Sequence, residues 1–329
     1  MTDHNYQLSP AEIEHFVEHG WVKVSNCFTR EQATEELSDL WPRLGMDPND
    51  MSTWTVERTN MAHLRHFPVS SFAPKAWGAV CSLVGDPSKI DLYISAWRDG
   101  FIVNLGTPSG HNKVVKPQDL KGWHIDGDNF VHYLDSSEQA LLTLPLWTDV
   151  PAGGGGTIIC PRGLDIIAKY LYEHPEGVTP LMSTRAENPE LEEEAHGYKW
   201  FNDLAASMPD DAFIEATGVV GDVYFLHPLM LHSASNNQLR SVRVITNPPT
   251  RLTEPFVLDR ADGLFNPVER KILRALGKES LAGWHITRER QKLVPQREKR
   301  ELELKKKELE RLKEKEIGEM AKTTVKISS

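Results

Sequence analysis

The sequence predicts a mainly β chain with flanking helices. An antiparallel sandwich or barrel is expected between about residues 90 and 250, a helical part over residues 1–89, and a charged helical tail over residues 287–329. Three observations predict this. Short apolar runs separated by Gly, Pro, Asn and Asp follow one another from Ile90 to Ile245, without a helix between each pair. A helix-start signature stands at Ser9. From Arg297 to Glu319 the chain is dense in Glu, Lys, Arg and Leu.

The elements follow in order. Ser9-Pro10 with Glu12 reads as a capping box with Pro at the first helical position, Ile13, Phe16 and Val17 form the apolar stripe, and Gly20 is the stop. Trp21-Val22-Lys23-Val24 alternates like a short strand. A second helix is expected from Thr29 through Leu37 and Leu40 to Trp41, ended by Pro42. The strand-like runs are Leu92–Trp97, Phe101–Leu105, Leu141–Trp147, Thr157–Cys160, Val219–Leu226 and Val242–Thr246. Asp165–Tyr172 and Asn202–Ala206 read as helical or irregular excursions, and Glu187–Ala195 as an exposed loop. In the tail Leu302, Leu309 and Leu312 hint at a seam, but Lys305 and Glu316 interrupt it; a solvated, salt-bridged helix is expected ahead of a coiled-coil partner. The chain shows no internal repeat.

With 329 residues and 40% apolar side chains, a sizeable core can be buried. No apolar run is long enough to cross a membrane, and Met1 to Pro10 lack the apolar centre of a signal peptide, so a cytoplasmic protein is expected. Cys27, Cys81 and Cys160 are far apart and form no CxxC pair, which argues against a disulfide framework or a thiolate zinc site. The net charge is −10, divided unevenly: from Arg288 onward 14 Lys and Arg face 9 Asp and Glu, leaving 23 basic against 38 acidic residues in the body. An acidic body repels nucleic acid and anionic membranes, so neither is an expected partner.

The sharpest feature is Trp123-His124-Ile125-Asp126. On a strand, residues i and i+2 share a face, so His124 and Asp126 are expected to converge on one metal ion. The triplet alone is common by chance. It gains weight from a second His on a later strand, because two His and one carboxylate occupy one face of an octahedron. The other face is left to a bidentate oxoacid and O2, as in non-haem Fe(II) oxygenases. His227 and His232 compete for that place. His227 precedes a proline, where pairing is disturbed, and the separation of five prevents one extended run from pointing both to one side. His232 is favoured, and His227 is read as a structural histidine. An oxoacid's distal carboxylate needs a cation, and a guanidinium matches it in two bonds. Arg240 and Arg243 both lie beyond His232, on opposite faces of the returning strand; Arg243 sits inside its apolar run, where a basic group needs a partner.

These residues and their neighbours resemble the phytanoyl-CoA dioxygenase family of Fe(II)/2-oxoglutarate oxygenases. The likeness covers Leu8-Ser9-Pro10-Ala11-Glu12-Ile13 through Phe16, Glu18-His19-Gly20, Val22-Lys23-Val24, Trp123-His124-Ile125-Asp126, Gly154-Gly155-Gly156-Thr157 leading to Pro161, and Gly221-Asp222-Val223 leading to His232. In that family an arginine eleven residues past the second metal His binds 2-oxoglutarate, and Arg243 stands at that spacing. The resemblance implies a double-stranded β-helix (jelly-roll) core and Fe(II), 2-oxoglutarate and O2 as cofactor and cosubstrates. It further implies decarboxylation of 2-oxoglutarate to succinate coupled to hydroxylation or another oxidation, and Asn104 as a second cosubstrate contact. An intact Asp126 fits hydroxylation, since halogenating relatives carry a small residue there. Departures are Ala234, where relatives often have Ser, the Asn247-Pro248-Pro249 ending, and the tail.

Other readings are weaker. Gly153 to Gly156 lack the Lys-Ser/Thr of a phosphate loop and run into Thr157-Ile158-Ile159, so a turn between strands is expected. Trp97, Trp123 and Trp147 read as core aromatics, and Asp128 and Asn129 either face substrate or are solvated. A zinc hydrolase would leave Arg243 without a purpose and shows no dedicated base. A silent scaffold predicts a damaged triad. The expected substrate is a small molecule, a lipid-like or secondary metabolite; no basic cluster for the phosphates of an acyl-CoA is evident.

Overall fold

A computed structural model describes residues 6–191, 197–295 and 297–327. Met1–Asn5, the later part of the expected 187–195 loop, Gln296 and the last two residues of the tail lie outside the described residues.

The first helix, α1 (Pro10–His19), starts as its signature requires: Ser9 Oγ accepts from Glu12 N, and the Glu12 carboxylate accepts from Ser9 N at 2.8 Å. Gly20 closes it at φ +75°, where a Cβ would come 2.5 Å from Leu164. β1 (Trp21–Val24) buries Val22 and Val24. Thr29 and Gln32 cap α2 (Arg30–Glu36) in the same reciprocal way. The expected continuation to Trp41 is corrected: the helix breaks after Glu36, and a separate α3 (Leu40–Leu44) contains Pro42. Pro42 falls in the first turn of α3, where a missing N–H leaves no bond unmade.

β2 (Arg58–Asn60), β3 (His66–Phe67), α4 (Val69–Phe72) and α5 (Pro74–Val84) follow, then β4 (Trp97–Arg98), β5 (Ile102–Asn104), β6 (Leu141–Pro145) and β7 (Thr157–Cys160). Here the expected strand from Leu92 is corrected. Leu92 and Tyr93 are exposed in a turn whose Asp91 carboxylate accepts from Tyr93 N and Ile94 N, and only Trp97–Arg98 pairs. The two excursions are helices, α6 (Pro161–Glu173) and α7 (Lys199–Ala206). β8 (Ile214–Glu215), β9 (Val223–Leu226), β10 (Leu231–Ala234), β11 (Arg243–Ile245), β12 (Pro249–Thr250), α8 (Pro267–Leu276) and α9 (Arg297–Ile327) complete the order.

Every strand pairing is antiparallel. The sheets run β1-β9-β6-β12, β10-β7-β8, β11-β5-β2 and β3-β4, with no closed barrel among the described residues. Single bridges extend them: Leu146 with Ile245 sets β11 beside β6, and His124 with His232 adds the metal-motif segment to β10. The N-terminal part is woven into this frame, since β1 pairs with β9 and β2 with β5. The expectation of a mainly β chain is corrected to a mixed one: helices hold more residues than strands, because the strands are short and α9 alone is 31 residues long.

Between the sheets Trp147 meets Phe28 (ring centroids 4.8 Å apart), Phe101 (5.5 Å) and Phe72 (5.7 Å). Its Nε1 donates to Thr246 Oγ1 at 3.0 Å, so a buried aromatic core grips the stretch between β11 and β12.

The tail is not merely solvated. α9 packs on α3, and it docks through charge, not through the leucine seam. Leu302 is 70% exposed, whereas Glu308 is 4% exposed and accepts from Arg43 Nε (2.9 Å) and Ala62 N (3.0 Å). Arg43 is itself buried and also pairs with Asp99 at 3.0 Å. Glu301 meets His63, and Lys315 meets Asp39. Spacings of seven put Glu301, Glu308 and Lys315 along one helix face. No described helix is long and apolar enough to cross a membrane.

Candidate metal centre

His232 lies on β10, directly opposite His124: each backbone N–H donates to the other's carbonyl at 3.0 Å. The two imidazoles are therefore neighbours, their centroids 4.3 Å apart. His124 Nδ1 lies 2.7 Å from Gly122 O, and His232 Nδ1 lies 2.9 Å from Met230 O. A carbonyl can only accept, so each Nδ1 carries a proton; on a neutral ring Nε2 then keeps its lone pair, and on a protonated ring Nε2 donates to Asp126. Both Nε2 atoms face Asp126 Oδ1, at 3.3 Å from His124 and 3.7 Å from His232. All three ligand atoms lie within 4.8 Å of one another.

Asp126 reaches this place differently from expectation. The segment is not a strand: His124 makes a single bridge, Asp126 sits in a bend, and Gly127 follows at φ +114°. A Cβ on Gly127 would come 2.5 Å from the Phe130 ring, so only glycine fits this backbone. The Gly127 carbonyl accepts from His132 Nε2 at 2.7 Å, and Asp126 Oδ2 accepts from Asn247 Nδ2 at 3.0 Å. Bend and bonds together aim the carboxylate, in place of the pleat.

The charges fit a cation. Burial alone would raise the Asp126 pKa, yet the hydrogen bond from His124 and the charges of both imidazoles hold it down at about 2. Burial would lower His124, but Asp126 outweighs it and the pKa ends raised. His232 is pushed to about 4 by burial and by His124 beside it. The centre thus stays anionic at oxygen and resists a second imidazolium, a donor set of two nitrogens and one oxygen that suits a divalent first-row ion.

Arg243 stands on β11 opposite Asn104 on β5. It is 1% exposed, its Nε donates to Gly155 O at 2.7 Å and its Nη1 to Ile102 O at 3.3 Å. Burial, with Arg58 nearby, draws its pKa down to about 10, against an upward pull from Glu215. Glu215 spends its carboxylate on Gly153 N and Gly156 N. Among the described residues no carboxylate lies within 4.0 Å of the Arg243 guanidinium. Arg240 is elsewhere, in a turn at φ +51° over the Trp54 ring. Asn104 is fully buried, its Nδ2 donating to Ser235 O and its Oδ1 accepting from Gly106 N, both at 3.1 Å.

His227 is remote from the triad in role. It is fully buried, its Nδ1 accepts from Leu229 N, and burial drives its pKa to about 3, so the ring is neutral. Trp123 is buried, with Nε1 donating to Pro117 O. Asn129 is exposed, and its carbonyl accepts from Leu293 N. Gly153–Gly156 form a turn into β7, with Gly155 at φ +81° packed against Asn104 and Asn237. Two participants escaped the sequence. Asn247 could have been found from its alternation with Arg243 and Ile245; Tyr198, whose ring lies 5.6 Å from His124, carries no such signal.

No family model matches the chain, and no curated protein matches it. Among solved structures, HygX from Streptomyces hygroscopicus, with nickel and 2-oxoglutarate bound, is 12% identical, with 77% of this chain and 90% of that one covered at a TM-score of 0.41. SnoK, a non-heme alpha-ketoglutarate-dependent carbocyclase from nogalamycin biosynthesis, is 16% identical, with 78% and 88% covered at 0.41. JW0805 from Escherichia coli is 13% identical, with 75% and 69% covered at 0.43. Likenesses at this level carry no argument, and the functional reading rests on the geometry of the site.

Proposed function

We propose that this chain is an Fe(II)- and 2-oxoglutarate-dependent oxygenase of a free small molecule. In this reading His124, Asp126 and His232 are the metal ligands, Arg243 anchors the cosubstrate and Asn104 supports it. The observation that carries the proposal is the convergence of two imidazole Nε2 atoms on one carboxylate oxygen. The buried guanidinium, with no carboxylate within 4.0 Å among the described residues, supports the cosubstrate. The strand pairings support a double-stranded β-helix, with β5-β11-β6-β9-β1 on one side and the His124 segment-β10-β7-β8 on the other.

Bound iron would supply activation of O2, with 2-oxoglutarate decarboxylated to succinate as the reductant. The chain's own residues do the positioning. The carbonyls of Gly122 and Met230 fix the imidazole tautomers. Arg243 takes a carboxylate out of water, where the attraction is far stronger than in solvent. Phe130, Leu229 and Phe256, with the polar His132, Ser136 and Gln139, line a narrow cavity beside Asp126.

Anaerobic protein mixed with Fe(II) and 2-oxoglutarate is expected to develop a visible metal-to-ligand charge-transfer band. His232→Ala should lose it, and Arg243→Ala should need more cosubstrate. Folded wild type without a band would sink the oxygenase reading and bring a zinc hydrolase or a scaffold forward.

A further inference from the structure

The strand that carries Arg243 carries a second polar side chain on the same face. Leu146 pairs with Ile245, Leu142 with Pro249 and Leu141 with Thr250, all in one register. β11 and β12 are therefore two pieces of one strand beside β6, interrupted where Pro248 has no N–H to give. Thr143 holds the interruption, donating to Pro248 O from both its backbone N (3.3 Å) and its Oγ1 (2.8 Å). Along this line Arg243, Ile245 and Asn247 fall on one face. Asn247 Nδ2 ends 3.0 Å from Asp126 Oδ2. A carboxylate accepts only, so the amide must present its nitrogen there.

We propose that Asn247 is a positioning residue that keeps Asp126 to single-oxygen ligation. The inference rests on the metal-centre reading above. The carboxylate has two equivalent oxygens, and nothing in its covalent structure prevents it from chelating. With Oδ2 held by Asn247, only Oδ1 faces His124 and His232. Three of six positions are then filled by protein. A chelating Asp126 would fill a fourth and compete with a bidentate oxoacid for the open face. The same strand thereby serves both ends of the cosubstrate: Arg243 for its distal carboxylate, Asn247 for the room its other end needs.

The test is a calorimetric titration of metal-free protein with Co(II), followed by 2-oxoglutarate added to each Co(II)-saturated form. Wild type, Asn247→Ala, Asn247→Leu and Arg243→Ala are compared; Leu keeps the branched shape of Asn and removes the amide's donor and acceptor. Wild type should bind one Co(II) per chain. Both Asn247 variants should bind it about 10- to 100-fold more weakly, and their saturated forms should also bind 2-oxoglutarate more weakly. Arg243→Ala should lose cosubstrate affinity alone. If either folded Asn247 variant binds both partners as wild type does, the proposal is overturned and the metal centre stands. Loss of Co(II) affinity without loss of 2-oxoglutarate affinity also overturns it, leaving Asn247 a packing residue. A wild type that takes up no Co(II) removes the metal-centre reading and this inference together.

Discussion

Replacing Arg243 with Met separates a functional guanidinium from a structural one. The substitution keeps an unbranched stem and removes the charge. Burial holds the Arg243 pKa at about 10 in place of 12.5, so the charged form is disfavoured by roughly 3 kcal/mol at about 1.4 kcal/mol per pKa unit. Met relieves that cost. Against it stand the bonds to Gly155 O and Ile102 O, whose loss leaves buried acceptors at about 1–3 kcal/mol each. The two effects are of similar size and opposite sign. The stability of the unliganded variant should therefore stay within about 3 kcal/mol of wild type, a shift of less than about 12 °C in Tm. A bound carboxylate deprived of its cation should lose about 2–5 kcal/mol, or roughly 30- to 4000-fold in affinity. Thermal denaturation with and without Mn(II) and 2-oxoglutarate reads both quantities. Wild type at 100 times its Kd should gain about 2.7 kcal/mol from the ligand, and the variant almost none. A variant that keeps the ligand-induced shift, or one that melts more than about 15 °C lower when unliganded, would refute the reasoning.

Three further outcomes are expected. Glu308→Ala leaves Ala62 N without a buried partner and Arg43 with Asp99 as its remaining carboxylate, at about 1–3 kcal/mol or the whole docking free energy of α9, whichever is smaller. Hydrogen exchange should show α9 losing protection in this variant but not in Glu310→Ala, an exposed control; equal protection in both would count against the charged docking. His227 is neutral in the fold with a pKa near 3, while its unfolded value is 6.5. Its contribution is intact above pH 6.5 and falls as the pH drops toward 3, because only the unfolded chain takes up the proton. His227→Gln should flatten that slope by up to about 1.4 kcal/mol per pH unit, read from urea midpoints, and an unchanged slope contradicts this. Gly127→Ala should cost about 1–3 kcal/mol through its φ of +114° and the Phe130 ring; a chemical-denaturation curve matching wild type would mean the loop yields freely.

Local chemistry was readable along the chain, and long-range geometry was not. The Ser9–Glu12 box, the Gly20 stop and the Thr157–Cys160 strand are decided within a few residues, and the structure has them as expected. That His124 and His232 meet follows from two segments able to pair. That Asp126 joins them through a bend was hidden, since H-x-D reads equally as a pleat; Gly127 was the clue, a residue that alone tolerates φ +114° beside Phe130. Leu92–Trp97 misled because apolar residues were counted as strand while Asp91 was free to fold the backbone into a turn. Pro42 misled because a proline stops a helix only past its first turn. Glu308 could not be placed at all: its partner Arg43 lies 265 residues away, and a glutamate in a Lys-rich run is outwardly like its neighbours.

The single register shared by β11 and β12 has a consequence for how the protein can fail. Arg243 and Asn247 occupy one face because the strand is aligned on β6 through Leu141, Leu142 and Leu146. A slip of one residue would turn Val244 and Thr246 inward and carry both polar groups out together. In the proposed reading, one misalignment therefore removes the cosubstrate's cation and the bond to Asp126 Oδ2 together.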